Sequence, residues 1–136
     1  MNEREAVFAI AEAARSAGAR ALLVGGCVRD ELLGLSPKDF DLEVFGIAPD
    51  RLVALLSGRF EIDLVGLSFG VVKLRHLCVD VAVPRRETKL GLGHRAFDAH
   101  WDPSLSVAEA AAQSATMAIK NVLCIIYLLS APFNLQ

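Results

Sequence analysis

Leu23-Val24-Gly25-Gly26-Cys27-Val28-Arg29-Asp30 is the stretch on which the fold turns. A short apolar run over residues 21–24 suits a buried strand, two glycines break it, and 28–33 reads as a brief helix ended by Gly34. Glycines at such a junction let backbone approach a ligand closely, and the free amides of a helix N-terminus attract anions such as phosphate. Arg29, on the first turn, could add a forked donor to a phosphate oxygen. The junction is a weak signal by itself, because many such turns merely connect a strand to a helix. A dinucleotide-binding turn would want a third glycine in register, and none follows Gly26 before Gly34.

Working outward, Phe40, Leu42 and Val44 alternate with Asp39, Asp41 and Glu43, the period of a strand with one apolar and one acidic face. Asp39 and Asp41, two residues apart, would project from the same face. Magnesium takes oxygen ligands and commonly one or two carboxylates plus substrate phosphates. Two adjacent like charges repel unless a cation lies near them. The plainer reading of the pair is a solvated acidic face on an edge strand. Further on, Asp80 is a lone carboxylate in the apolar run 77–83, costly there unless paired, metal-bound or facing solvent. Glycine turn, carboxylate pair and later single carboxylate together form a more specific pattern than any part, with sheet pairing expected to bring Asp80 beside the other two.

The remaining elements frame that pattern. Asn2 with Glu5 makes a capping box, and Ala6, Val7, Ile10, Ala13 and Ala14 recur at helical spacing up to a stop at Gly18. Residues 50–56 read as a helix stopped at Gly58, followed by three short β-like runs at 60–65, 69–75 and 77–83. Residues 85–103 are polar and rich in glycine and histidine, and read as a long loop. Ser106 with Glu109 is a second capping box opening an alanine-rich helix. The expected class is α+β, a small mixed β-sheet with helices packed on it.

Bulk properties narrow the function classes. With 136 residues and 54% hydrophobic content the chain suits one globular domain with a real core. A formal net charge of −2 argues against holding nucleic acid by bulk charge alone, though a local basic strip can still act. The three cysteines, Cys27, Cys78 and Cys124, fit no metal or redox pattern, and with a charged start at residues 1–5 they point to a reducing cytoplasm. The apolar run 122–133 is too short to span a bilayer, so no membrane role is expected.

The motifs resemble the polymerase-β-type nucleotidyltransferases, and within them the head domain of bacterial CCA-adding tRNA nucleotidyltransferases and the related poly(A) polymerases. The likeness runs over residues 23–34, 38–46, 65–71 and the Arg86-Glu87 stretch to His94, roughly 20–112 in all. It implies that Gly25, Gly26 and Arg29 bind the nucleotide, with Gly26 and Arg29 at its triphosphate. It implies Asp39 and Asp41 as Mg2+ ligands, with Asp80 as a third catalytic carboxylate. ATP and CTP would be the nucleotide substrates and a tRNA or other RNA 3′ end the acceptor. Arg85 to His94 resembles a mobile loop beside the site, where Arg85 and Arg86 could meet phosphate or RNA; neither His94 nor His100 is assigned a catalytic part.

The resemblance fails after the second capping box. Family members continue with an Arg-Arg-Asp-Phe-Thr-type motif, whereas this chain runs Ala110-Ala111-Ala112-Gln113-Ser114-Ala115-Thr116-Met117. A head domain over residues 1–112 and a divergent tail over 113–136 are therefore expected. The expected activity is transfer of nucleotides from CTP or ATP to an RNA 3′ end, most of all tRNA CCA addition. The alternatives are poly(A) synthesis and a nucleotide-binding remnant without transfer. The apolar tail, if exposed, would favour a homodimer or aggregation, and a minimal head would need a partner chain supplying missing domains.

Overall fold

A computed structural model of the chain describes residues 1–89 and 97–110. Helix α1 spans Glu3–Ser16 and opens on the expected capping box: Glu5 N donates to Asn2 Oδ1 and Asn2 N donates to Glu5 Oε2, each at 2.9 Å. Its buried stripe is Ala6, Val7, Ile10, Ala13 and Ala14, the residues that the sequence spacing selects. Strand β1, Arg20–Val24, leads through Gly25 into helix α2, Gly26–Leu32. Strand β2, Phe40–Phe45, alternates as read, with Phe40, Leu42 and Val44 buried and Asp41 on the opposite, more open face. Helix α3, Pro49–Ser57, starts with proline in its first turn, where the missing N–H costs nothing.

The next three segments are shorter than the sequence suggests. Strand β3 is only Ile62–Asp63, a 3₁₀ turn occupies Leu67–Phe69, and β4 and β5 are Val71–Leu74 and Val79–Ala82. The five strands form one sheet in the order β1-β2-β5-β4-β3. β2 and β5 run parallel, and every other neighbour is antiparallel. This is the mixed sheet of an α+β fold.

Helix α1 packs on β1, β2 and β5 and also meets α3, so one face of the sheet carries the main core. Ile10, Leu42, Leu52, Leu56, Val72 and Val81 are all at or below 1% exposure there. Each such side chain contributes roughly 1.5–3 kcal/mol relative to full exposure. The other face is divided. At one end Leu22 and Phe45 are closed over by Leu105 and Ala110; at the opposite end that face carries the acidic residues.

One expectation needs correcting. Residues 85–103 are not simply a loop: β6, Arg85–Lys89, pairs antiparallel with β7, Phe97–Trp101, as a separate two-stranded ribbon. β6 is polar throughout and so does not announce itself as a strand, although Phe97, Ala99 and Trp101 of β7 alternate with Asp98 and His100; backbone pairing joins the two strands, and Arg86 adds ion pairs. Arg86 Nε donates to Asp102 Oδ2 at 3.0 Å, and Arg86 Nη2 lies 3.7 Å from Glu109 Oε1. The ribbon is seated by Gly70, where an added Cβ would meet Arg85 Cδ at 3.4 Å and Trp101 Cε2 at 3.6 Å. The second capping box is present: Glu109 N donates to Ser106 Oγ at 3.2 Å, and Ser106 N to Glu109 Oε2 at 2.9 Å. Residues 90–94 of the expected mobile loop, His94 among them, and the tail expected over 113–136 lie outside the described residues.

Candidate active site

The site is built where β1 ends and α2 begins. Val24 pairs with Asp41 in the β1–β2 ladder, so the residue after Val24 lies against the Asp41 side chain. Gly25 has φ 75° and ψ −146°, a backbone region closed to side-chain-bearing residues in practice. A Cβ placed there would stand 3.2 Å from Asp41 Oδ2. Glycine is thus required twice, by conformation and by space. No side chain caps α2, whose first amides are free of such a partner. Cys27 fixes the turn from beneath: its thiol donates to Val24 O at 3.0 Å, and burial pushes that thiol up from its ordinary pKa.

Arg29 folds back over the same turn, its Nη2 3.5 Å from a Cβ built on Gly26. Its Nε and Nη2 both donate to Asp30 Oδ1, at 2.9 and 2.7 Å. A phosphate would share this guanidinium with Asp30. Arg4 braces the assembly from α1: its Nη2 lies 2.7 Å from Glu31 Oε1 of α2, and its guanidinium sits 5.8 Å from the Phe40 ring centroid.

Beside the turn is an open cleft of about 320 Å³, lined by Asp39, Phe40, Asp41, Lys73, Leu74, Leu77, Cys78 and Asp80. Asp39 immediately precedes β2, and Asp41 is the second residue of that strand. Asp80, on β5, is the direct parallel partner of Asp41. Sheet pairing therefore brings the late carboxylate to the early pair. Burial pushes the Asp41 carboxyl above the ordinary aspartate value, the charges of Asp80 and Asp39 push it further, and Lys73 partly offsets them. Two residues along the same face, burial also raises the Glu43 carboxyl, against a lowering influence from Arg85.

Among the described residues no three His, Cys, Asp or Glu side chains are gathered closely enough to hold a metal by themselves. Asp80 Oδ2 is engaged by the Lys73 ammonium. Sequence reading missed Lys73, although a signal existed. A tight hairpin between the runs containing residues 73 and 80 places those two opposite each other, and that is the β4–β5 register. It also missed that Arg86 is committed to Asp102 and Glu109 rather than offered to a ligand.

A glycine turn leaving the first strand of a mixed sheet is thus set against carboxylates on two adjacent parallel strands. The chain belongs to the poly(A) polymerase head domain family, matched over residues 21–93. Among its relatives is the multifunctional CCA protein of Aromatoleum aromaticum, 36% identical over 90 residues, covering 66% of this chain and 21% of that protein. Another is the multifunctional CCA protein of Vibrio parahaemolyticus, 38% identical over 87 residues, 64% of this chain and 20% of that one. The crystal structure of the Bacillus stearothermophilus CCA-adding enzyme in complex with CTP shares the fold. Its TM-score is 0.55 at 24% identity, over 79% of this chain and 24% of the enzyme. The chain thus spans about a fifth of the length of the curated relatives it matches.

Proposed function

We propose that this chain is the catalytic head of an RNA nucleotidyltransferase, transferring nucleotides from CTP or ATP to an RNA 3′ end, with tRNA CCA addition as the leading reaction. One observation carries the reading: Asp41 Oδ2 lies within 3.2 Å of the space that a side chain at Gly25 would fill. A triphosphate resting on the turn would therefore stand directly beside the carboxylates. The relatives' names favour CCA addition over poly(A) synthesis. A cytoplasmic setting suits a tRNA substrate, and among the described residues no helix is long and apolar enough to cross a membrane.

The donor set fits Mg2+. All its ligating groups are oxygens, and Asp41 carries repulsion from Asp39 and Asp80, only partly offset by Lys73, that a divalent cation would relieve. Asp39 and Asp41 would hold the ion, with Asp80 one strand away and paired with Lys73. Such an ion supplies Lewis-acid activation of the RNA 3′-hydroxyl and neutralises charge on the triphosphate. The chain's own residues position: Gly25 and Gly26 let backbone amides approach the phosphates, Arg29 donates to a phosphate oxygen, and Cys27 holds the turn at its distance from β2. The 3′-hydroxyl oxygen, its proton passing to solvent, bonds to the α-phosphorus while the bond from that phosphorus to the β,γ-pyrophosphate breaks. Little covalent work is left to side chains, so positioning and electrostatics dominate.

A second reading is favoured by the run Ala110-Ala111-Ala112-Gln113-Ser114-Ala115-Thr116-Met117 in place of an Arg-Arg-Asp-type motif: a head that holds nucleotide without transferring it. Incubation with labelled CTP or ATP, Mg2+ and tRNA lacking its 3′ terminus separates the two. RNA extension lost in Asp39→Ala with Asp41→Ala supports transfer. Nucleotide binding without extension supports the second reading, and extension that survives the double substitution sinks the site.

A further inference from the structure

The sheet carries a continuous charged row. Val24, Asp41, Asp80, Lys73 and Asp63 are successive register partners across β1, β2, β5, β4 and β3. Directly paired residues project from one face, so the three carboxylates and the ammonium share the side that holds the glycine turn. Lys73 stands between two acids and is the basic residue among those lining the cleft. Its Nζ pairs with Asp80 Oδ2, leaving Asp39 and Asp41 as the carboxylates in the cleft without that partner.

We propose that Lys73 is a tethered counter-ion for Asp80, a positioning residue that keeps this carboxylate engaged and thereby sets how strongly the cleft attracts a divalent cation. The proposal rests on the reading of Asp39 and Asp41 as the cation's ligands. Its logic is charge balance. With Lys73 in place, the pair Asp39 and Asp41 faces an added cation nearly alone, because Asp80 is locally neutralised. Without Lys73, a third full carboxylate charge stands one strand away from Asp41 and adds to the attraction for a divalent ion. As a mere surface ion pair, more than half exposed at the lysine, Lys73 would contribute little to stability and nothing to cation affinity.

The test is calorimetric titration of the full chain with Mg2+, using wild type, Lys73→Met, Lys73→Arg, and Lys73→Met combined with Asp80→Asn. Lys73→Met is expected to tighten Mg2+ binding on the order of tenfold, the size of one extra unit charge acting at this range through a wet site. Lys73→Arg should stay near wild type, because it keeps the charge. The double variant should also return near wild type, because it restores local neutrality. Thermal unfolding of each variant without Mg2+ reports folding independently of the titration. If Lys73→Met leaves Mg2+ affinity unchanged or weakens it, while Asp39→Asn with Asp41→Asn abolishes binding, the counter-ion proposal is overturned and the metal site stands. If Mg2+ binding survives Asp39→Asn with Asp41→Asn, the metal site itself fails and takes the proposal with it.

Discussion

Gly25→Ala is the substitution that most sharply probes how the turn and the carboxylates are joined. At φ 75° and ψ −146° the backbone lies where a side chain costs of order 1–3 kcal/mol. The new Cβ would also stand 3.2 Å from Asp41 Oδ2, closer than ordinary van der Waals contact, so the carboxylate must give way. For a domain of this size, where 1 kcal/mol moves Tm by roughly 4 °C, the conformational cost predicts a fall of about 4–12 °C. Gly34→Ala is the control: φ is 72° there, yet nothing lies within 4 Å of the added carbon. Its cost is conformational only, roughly 1–2 kcal/mol. Thermal unfolding by circular dichroism in EDTA, with CTP affinity measured beside it, should show both variants destabilised but only Gly25→Ala weakened at least tenfold for nucleotide. Equal nucleotide affinity in wild type and Gly25→Ala, or equal losses in the two variants, would refute the argument that this glycine couples phosphate to Asp41.

Other outcomes follow from the same geometry. Since its surroundings raise the Asp41 carboxyl, that group favours folding when protonated: its contribution is full below the ordinary aspartate value near 3.8 and is lost as pH rises through the raised value. Asp41→Asn should therefore equal or exceed wild type in metal-free Tm at pH 7 while losing Mg2+ binding, as calorimetry would show. Asp102→Ala removes the acceptor of Arg86 and of Ser104 N and should destabilise the chain by about 1 kcal/mol, read by urea denaturation, with Mg2+ affinity unchanged. Exposed Cys78 in the cleft wall should alkylate well before Cys27, which is 3% exposed, and CTP with Mg2+ should slow Cys78 alone, as peptide mass spectrometry would follow.

Much of this architecture was legible because local chemistry and tertiary structure agree. The Asn2–Glu5 box, the apolar stripe of α1 and the alternation of β2 each encode an element and the face it buries. Asp39, Asp41, Gly25 and Gly26 could be grouped because they lie close together in sequence, and the apolar surroundings of Asp80 marked it as unusual. What escaped depends on pairing between distant segments. In the β6–β7 ribbon β6 is polar throughout, so the short alternation of Phe97, Ala99 and Trp101 in β7 has no matching partner in the sequence, and the register and the Arg86–Asp102 pair reveal it. Lys73 is unremarkable until β4 is laid against β5, when it meets Asp80.

The most direct measurement is backbone amide NMR of the full chain during addition of substoichiometric Mn2+ with CTP, where paramagnetic broadening maps the bound ion. Signals of Gly25, Gly26, Asp39, Asp41 and Asp80 should broaden first and together, and should sharpen again on competition with excess Mg2+. Broadening centred instead on Asp102 and Glu109, or spread evenly over the acidic surface with residues 25–41 untouched, would contradict the central claim that carboxylates and glycine turn share one cation and one triphosphate.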